Sequence, residues 1–201
     1  MIRVLLAEDQ GLIRGALQAL LSFEQDIAVV ANVSRGDEAV AAALHTAPDI
    51  ALLDIEMPGQ DGLAVARTLR AELPACRSII LTTFGRPGFL RRAMESGAVG
   101  FLLKDLPARE LAQAIRRCAA GERVIDPTLA AAALADGPSP LSDREGEVLS
   151  ASAGGATIAD VATRLFLSDG TVRNHLSHAI QKLGARNRAE AARIAEEKGW
   201  L

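Results

Sequence analysis

The stretch Leu52-Leu53-Asp54-Ile55-Glu56-Met57-Pro58-Gly59-Gln60-Asp61-Gly62 decides how this chain is read. Ile50-Ala51-Leu52-Leu53 is a continuous apolar run, the pattern of a strand buried on both faces, and Asp54 closes it ahead of Pro58 and Gly59. A carboxylate is thereby presented at the carboxyl end of a buried strand, the rim on which open α/β sheets do their chemistry. An aspartate ending a strand before a Pro/Gly loop is equally ordinary turn chemistry, so its partners must decide.

Working outward, the same alternation recurs on both sides. Residues 3–7 read as a short buried strand followed by Glu8-Asp9, and Ile13, Ala16, Leu17, Leu20 and Leu21 recur at helical spacing. Residues 27–33 are β-branched and extended; Ala39, Val40, Ala43 and Leu44 give a second helical face, ended at Pro48. After Asp54 the pattern predicts a helix over 62–73, a strand over 78–83, a helix over 88–96, a strand over 99–103 and a helix over 107–119. Five apolar strands alternating with five helices call for a doubly wound parallel sheet covered on both faces. Right-handed crossovers then place every strand's carboxyl end on one rim.

That rim collects Glu8, Asp9, Asp54, Thr82 and Lys104. Facing carboxylates repel, so the cluster calls for a cation or for the lysine. Mg²⁺ suits it, because it takes hard oxygen ligands from one or two carboxylates and keeps water or phosphate oxygens. A carboxylate beside such an ion can attack a phosphoryl group and become an aspartyl phosphate. Thr82 is then placed to hydrogen-bond a phosphoryl oxygen and Lys104 to balance its charge.

The order Glu8-Asp9, Asp54-x-x-Met57-Pro58-Gly59, Thr82 and Phe101-x-x-Lys104 resembles the receiver domain of bacterial response regulators, over residues 1–121. The resemblance implies a flavodoxin-like fold with Asp54 as phosphoacceptor. It implies a Mg²⁺ site formed by Glu8, Asp9, Asp54 and the backbone carbonyl of Glu56. Thr82 would be the switch hydroxyl, Phe101 the aromatic that turns inward with it, and Lys104 the phosphate-pairing lysine. It also makes Glu56 and Phe84 tuners of dephosphorylation. Phe101 read by itself is equally an aromatic filling the sheet edge. Asp105 stands where many receivers have proline.

Past Val124 the pattern loosens. An alanine-rich piece and Gly137-Pro138-Ser139-Pro140 mark residues 122–140 as a linker, semi-extended where proline dominates. Residues 141–201 change to short helices without strands. Ser142 and Glu145 form a capping box, Gly154-Gly155 ends that helix, and Thr157 caps the next. Leu167-Ser168-Asp169-Gly170 reads as a turn, and a helix beginning near Thr171 carries Val172, Leu176, Ile180 and Leu183 on one face. Two helices joined by a short turn, the second polar outside, make a helix-turn-helix. Arg173, Lys182, Arg186 and Arg188 fall between Gly170 and Ala189 with no acid among them, a positive face suited to phosphate. On an ordinary helix such a face would simply be solvated.

Residues 141–201 resemble the LuxR-type DNA-binding domain through Leu141-Ser142-x-Arg144-Glu145, Ser168-x-x-Thr171-Val172-Arg173-Asn174-His175 and Lys182-Leu183-Gly184. By that resemblance Arg173, Asn174 and Ser177 face the major groove, and Thr171, His175, Lys182 and Arg188 contact the DNA backbone. The last helix, with Ala191, Ala192, Ile194 and Ala195, would be a dimer face, although small apolar residues equally suit packing within the chain. The two halves together resemble the NarL/FixJ response regulators. Leu81-Thr82-Thr83-Phe84, Arg86-Pro87-Gly88-Phe89 and Lys198-Gly199-Trp200-Leu201 are similar to the DesR-like subgroup. What this implies is a transcription regulator, not an enzyme. A sensor histidine kinase would phosphorylate it, and as a homodimer it would then bind promoter DNA. RNA polymerase would be a further partner, and membrane-lipid genes the regulon associated with that subgroup.

Composition bounds the alternatives. At 201 residues the chain has room for two ordinary domains, and 49% apolar with 23% charged residues is a globular composition. No apolar run approaches the ~18 residues of a membrane span, and the amino terminus carries no signal-peptide pattern, so a cytoplasmic protein with no membrane insertion is expected. Cys76 and Cys118 read as reduced and buried. The net charge of −3 comes from residues 1–137, with 14 basic against 17 acidic side chains; residues 138–201 balance at 8 each. Two rivals stand beside the regulator: a Mg²⁺-dependent phosphohydrolase with Asp54 as nucleophile, and a DNA-binding module indifferent to phosphate. The first needs a substrate-covering cap that residues 141–201 do not offer, and the second leaves the acidic cluster unused.

Overall fold

The computed structural model describes residues 1–83, 87–136 and 139–201, with backbone only for 87–88 and 132–136. Phe84, Arg86 and Gly137-Pro138, singled out in the sequence, lie outside the described residues. The chain divides into two compact units near residue 131.

In the first unit, strands β1 (Ile2–Ala7), β2 (Ile27–Val33), β3 (Ile50–Asp54), β4 (Arg77–Thr82), β5 (Gly100–Leu103) and β6 (Val124–Ile125) alternate with helices. These are α1 (Gly11–Ser22), α2 (Gly36–Thr46), α3 (Gly62–Glu72), α4 (Pro87–Glu95) and α5 (Ala108–Ala119). All pairings are parallel, in the order β2-β1-β3-β4-β5-β6. The sheet has six strands, not the five expected. The sixth lies in the stretch read as linker: Val124 N–H bonds Val99 O at 2.9 Å and Asp126 N–H bonds Phe101 O at 3.0 Å. Two residues carry no periodicity of their own, and their pairing comes from the open edge that β5 offers.

Every residue of β3 is buried, because β1 and β4 flank it and helices cover both faces. Val4, Leu6, Ile50, Leu52, Ile79 and Leu81 point to one side and pack with Leu17 and Leu21 of α1 and Leu111 and Ile115 of α5. Leu5, Ala51, Leu53 and Ile80 alternate with them and are equally buried. The chain order reverses between β1 and β3, a topological switch point that opens a crevice at the carboxyl ends of those two strands. Glu8 and Asp54 sit there. A second helical cue is less regular: α2 ends at Thr46, and Ala47, before Pro48, takes a left-handed φ of 43°.

Helix α6 (Pro127–Asp136) follows β6, with Asp126 accepting from the backbone N–H groups of Thr128 (2.8 Å) and Leu129 (3.2 Å). The second unit holds α7 (Asp143–Ser152), a single 3-10 turn, α8 (Ile158–Leu165), α9 (Asp169–Lys182) and α10 (Arg188–Glu197). Ser142 with Glu145 and Thr157 with Asp160 close capping boxes, and Gly154 and Gly155 take φ of 74° and 89° past the end of α7. Helix α9 starts two residues before the expected Thr171. Ser168 caps it, accepting from Thr171 N–H at 3.1 Å, which draws Asp169 and Gly170 into the first turn. Ala191, Ala192 and Ala195 are buried in this unit's own core with Val148, Leu149, Val172 and Leu176. They are packing residues of α10, so only half-buried Ile194 of the expected dimer face remains at the surface.

Candidate phosphorylation and DNA-binding sites

The carboxyl ends of β1, β3, β4 and β5 each deliver a polar side chain to the crevice. Glu8 follows β1 and is fully buried; Asp54 ends β3 and is 5% exposed; Thr82 ends β4 and is 6% exposed. Lys104 follows β5, and its side chain is buried too. Its ammonium stands 2.7 Å from Glu8 Oε2, 3.0 Å from Glu8 Oε1 and 2.9 Å from Asp54 Oδ2. Lys104 N–H donates to Thr82 O at 2.8 Å, which ties the lysine's backbone to the threonine's. Asp9 is exposed, and one carboxylate oxygen from each of Glu8, Asp9 and Asp54 lies within 4.8 Å of the others. The Glu56 side chain is exposed, while its backbone N–H donates to the Asp54 carboxylate. Phe101 is fully buried in β5, flanked in register by Ile80 and Ile125, so the added strand takes it away from the sheet edge.

Loss of hydration on burial raises the Glu8 and Asp54 carboxyls above their ordinary values, and the hydrogen bonds from Lys104 only partly offset it. Burial works against the Lys104 ammonium as well, but the two carboxylates outweigh it and its pKa is raised. Three carboxylates and one ammonium leave two negative charges uncompensated, which a dication would neutralise. Glu8 Oε2 adds a second sign: it is buried, close to the ammonium, and without an aligned hydrogen bond. The donor set is all oxygen, as Mg²⁺ prefers.

Sequence reasoning passed over Arg14. Its guanidinium donates from α1 to Glu8 O at 2.7 Å and Asp9 O at 3.3 Å, and Gln10 N–H reaches Glu8 Oε1 at 3.2 Å. The spacing of Arg14 from the acid pair, one helical turn into α1, is the only cue the sequence holds.

In the second unit, α8 and α9 meet through Leu167 and Ser168. Phe166, at the end of α8, is left-handed with φ 55° and 95% exposed. Val172, Leu176 and Ala179 anchor α9, which turns Arg173, Asn174 and Ser177 to the surface together; Thr171 and His175 are half-buried beside them. Two of the expected DNA-backbone contacts are engaged within the unit. Lys182 Nζ lies 2.6 Å from Glu145 Oε2, and Arg188 donates to Ala156 O at 2.8 Å. Thr171 Oγ1 is 2.8 Å from Ser168 Oγ. Glu145, expected only as a capping residue, is therefore a buried link between α7 and α9; Lys182, first, and Ser142 N–H hold its carboxyl down at about 2.

A parallel sheet with a buried acid–lysine crevice, joined to a helix-turn-helix, defines a phosphoacceptor-type receiver with a DNA-binding effector. Residues 4–116 match the response regulator receiver domain, and residues 139–195 match the bacterial regulatory proteins of the luxR family. The chain belongs to the LuxR-type (NarL/FixJ) two-component response regulators. It is 49% identical to the transcriptional regulatory protein YvfU and 44% identical to the transcriptional regulatory protein DesR, both of Bacillus subtilis strain 168. Each alignment runs over 201 residues and covers all of both chains. The crystal structure of ChrA, a response regulator in a heme-sensing two-component system, is similar over 100% of this chain and 98% of its own, with TM-score 0.60 and 34% identity. A complex of the response regulator RcsB with DNA shares the fold, with TM-score 0.70 over 98% of both chains at 21% identity. A receiver domain implies a histidine kinase partner, and the LuxR-type domain implies DNA binding. Among the described residues no helix is long and apolar enough to cross a membrane.

Proposed function

We propose that Asp54 accepts a phosphoryl group from a sensor histidine kinase and that this charge governs promoter binding by residues 141–201. The observation that carries the reading is the buried Lys104 ammonium held between Glu8 and Asp54. A carboxylate oxygen of Asp54 attacks phosphorus; the bond to the kinase histidine breaks, and the imidazole departs with its electron pair. Glu8, Asp9, Asp54 and the Glu56 carbonyl would hold Mg²⁺, which supplies positive charge to the phosphoryl oxygens. Lys104 exchanges its contact with Asp54 for the new oxygens, and Thr82, bonded to it through the backbone, donates its hydroxyl to them. Phe101 lies inward in step with that arrangement.

The activated form is a homodimer. Strand β6 pairs with Gly100 and Phe101 on the outer edge of β5, while Leu12 and Leu20 of α1 and its C-cap Phe23 are exposed. Two receivers brought together raise the effective concentration of two helix-turn-helix units at paired half-sites. Arg173 and Asn174 suit guanine and adenine edges in the major groove, with Ser177 beside them and Thr171 and His175 toward the phosphates. The receiver spans residues 1–121 with β6 added to its sheet, and residues 141–201 are the DNA-binding domain. The protein acts in the cytoplasm as a regulator, with no turnover of its own beyond the phosphoryl cycle. Its likeness to DesR makes membrane-lipid promoters the first to test, with RNA polymerase as the downstream partner.

The test is phosphotransfer with Asp54→Ala. We expect no phosphate on the variant and no phosphate-dependent gain in promoter binding. A variant that still takes phosphate from the kinase and still responds to it on DNA overturns the assignment.

A further inference from the structure

Arg14 stands where a cation is locally unfavourable. It lies in the first turn of α1, at the positive end of the helix dipole, in a turn with no acidic residue and after an N-cap, Gln10, that makes no side-chain cap. Such a violation of local rules points to a gain elsewhere. The gain visible here is that its guanidinium holds the main-chain carbonyls of both Glu8 and Asp9. The loop's other groups are committed as well: Glu8 N–H bonds Val33 O at 3.1 Å, and Gln10 N–H bonds the Glu8 carboxylate. The acid pair is thus held at its carbonyls from α1 and at Glu8 N–H from β2, while the Glu8 carboxylate in turn holds Gln10 N–H.

We propose that Arg14 is a positioning residue for divalent-cation binding: it fixes the backbone from which Glu8 and Asp9 reach the crevice. The buried, unaligned Glu8 Oε2 is the atom whose aim depends on that fixation. The proposal rests on the reading of Glu8, Asp9 and Asp54 as a cation site. Charge alone predicts the opposite effect. A guanidinium near a cation site repels the cation, so its removal would tighten binding if electrostatics ruled. If positioning rules, its removal weakens binding, by about tenfold on the scale of outer-shell partners of metal sites.

The experiment is calorimetric titration of Mg²⁺ into the full chain for wild type, Arg14→Met and Arg14→Lys, with circular dichroism as the check on folding. We expect Arg14→Met to weaken Mg²⁺ by about tenfold and Arg14→Lys to fall between, because an ammonium can also donate to two carbonyls from one nitrogen, as Arg14 Nη1 does, but sits on a shorter and less rigid side chain. Phosphorylation by a small phosphodonor should then need more Mg²⁺ in Arg14→Met yet reach the wild-type rate at saturation. Unchanged or tighter Mg²⁺ binding in Arg14→Met overturns the proposal. If that variant does not fold, Arg14→Gln, too short to hold both carbonyls, decides: weaker binding supports positioning, and wild-type or tighter affinity refutes it. A wild-type chain that binds no Mg²⁺ at all would instead remove the cation site on which the proposal rests.

Discussion

Lys104 and Asp54 form an ion pair of 2.9 Å in which neither side chain is more than 6% exposed, and Glu8 shares the same ammonium. Removing one partner of such a group leaves the others charged and poorly hydrated, a loss of about 3–5 kcal/mol when burial is complete. The exposed Asp9 marks one side of the crevice as open to water, so Lys104→Met should fall at the lower end. We expect its receiver to melt well below wild type in the presence of a chelator. Mg²⁺ should recover much of the difference, because it supplies charge to the same carboxylates. A melt that is equally low with and without Mg²⁺ would separate the lysine's role from that of the cation.

Gly62 packs so closely beneath the end of β3 that a Cβ added to it would lie 2.0 Å from Asp54 O. Its N–H also bonds Ile55 O at 3.0 Å, closing the loop that Asp54 opens. Since the obstacle is backbone, Gly62→Ala must push the Asp54 strand end aside. We expect a cost of about 1–3 kcal/mol, as for overpacking elsewhere, and a marked fall in phosphate uptake. Chemical denaturation and phosphodonor labelling of the same sample would check both.

Arg173 and Lys182 should separate on DNA. Arg173 is exposed on α9, so Arg173→Ala should abolish specific operator binding and leave Asp54 phosphorylation intact. Lys182 is bound to Glu145, so Lys182→Met should lower the stability of the DNA-binding unit more than it changes the salt dependence of binding. If Lys182 instead neutralised a DNA phosphate, the same substitution would lower the slope of log K against log salt by about one. Footprinting over a salt series distinguishes the two.

The same link makes the DNA-binding unit acid-sensitive. Lys182, and then Ser142, hold the folded Glu145 carboxyl at about 2, below the 4.5 of a free side chain. The charged form is the one favoured by folding, so its contribution is complete above about 4.5 and disappears as pH falls toward 2. The chain has a single tryptophan, Trp200, packed against this unit's core, so its fluorescence follows this unit alone. Urea midpoints should drop between pH 5 and pH 3, and Glu145→Gln should flatten that drop. Parallel curves for the two proteins would count against the link.

The parts of the fold that were legible in the sequence are those whose residues carry their own pattern. Residues 50–54 are a strand because burial on both sides requires a continuous apolar run, and residues 27–33 are a half-buried edge strand rich in β-branched residues. Glu8, Asp54 and Lys104 were legible as a group because parallel topology brings strand ends together without knowledge of any distance. Strand β6 was hidden because Val124 and Ile125 acquire their structure from an edge far back in the chain. The Lys182–Glu145 link spans 37 residues and masquerades locally as a helix cap and a basic surface residue. The alanines of α10 were ambiguous because a small apolar stripe fits either a partner or a core, and only packing decides.

Strand β6 also resets where the connection to the DNA-binding unit begins. Asp126 is bonded to the carbonyl of Phe101 and at once caps α6, so the connection starts at the strand that carries the buried aromatic and leads to Lys104. Helix α6 then advances by about 1.5 Å for each residue, and only residues 137–142 separate it from α7. The connection therefore begins as a helix capped at the sheet edge, and not as the slack tether that its proline content suggests.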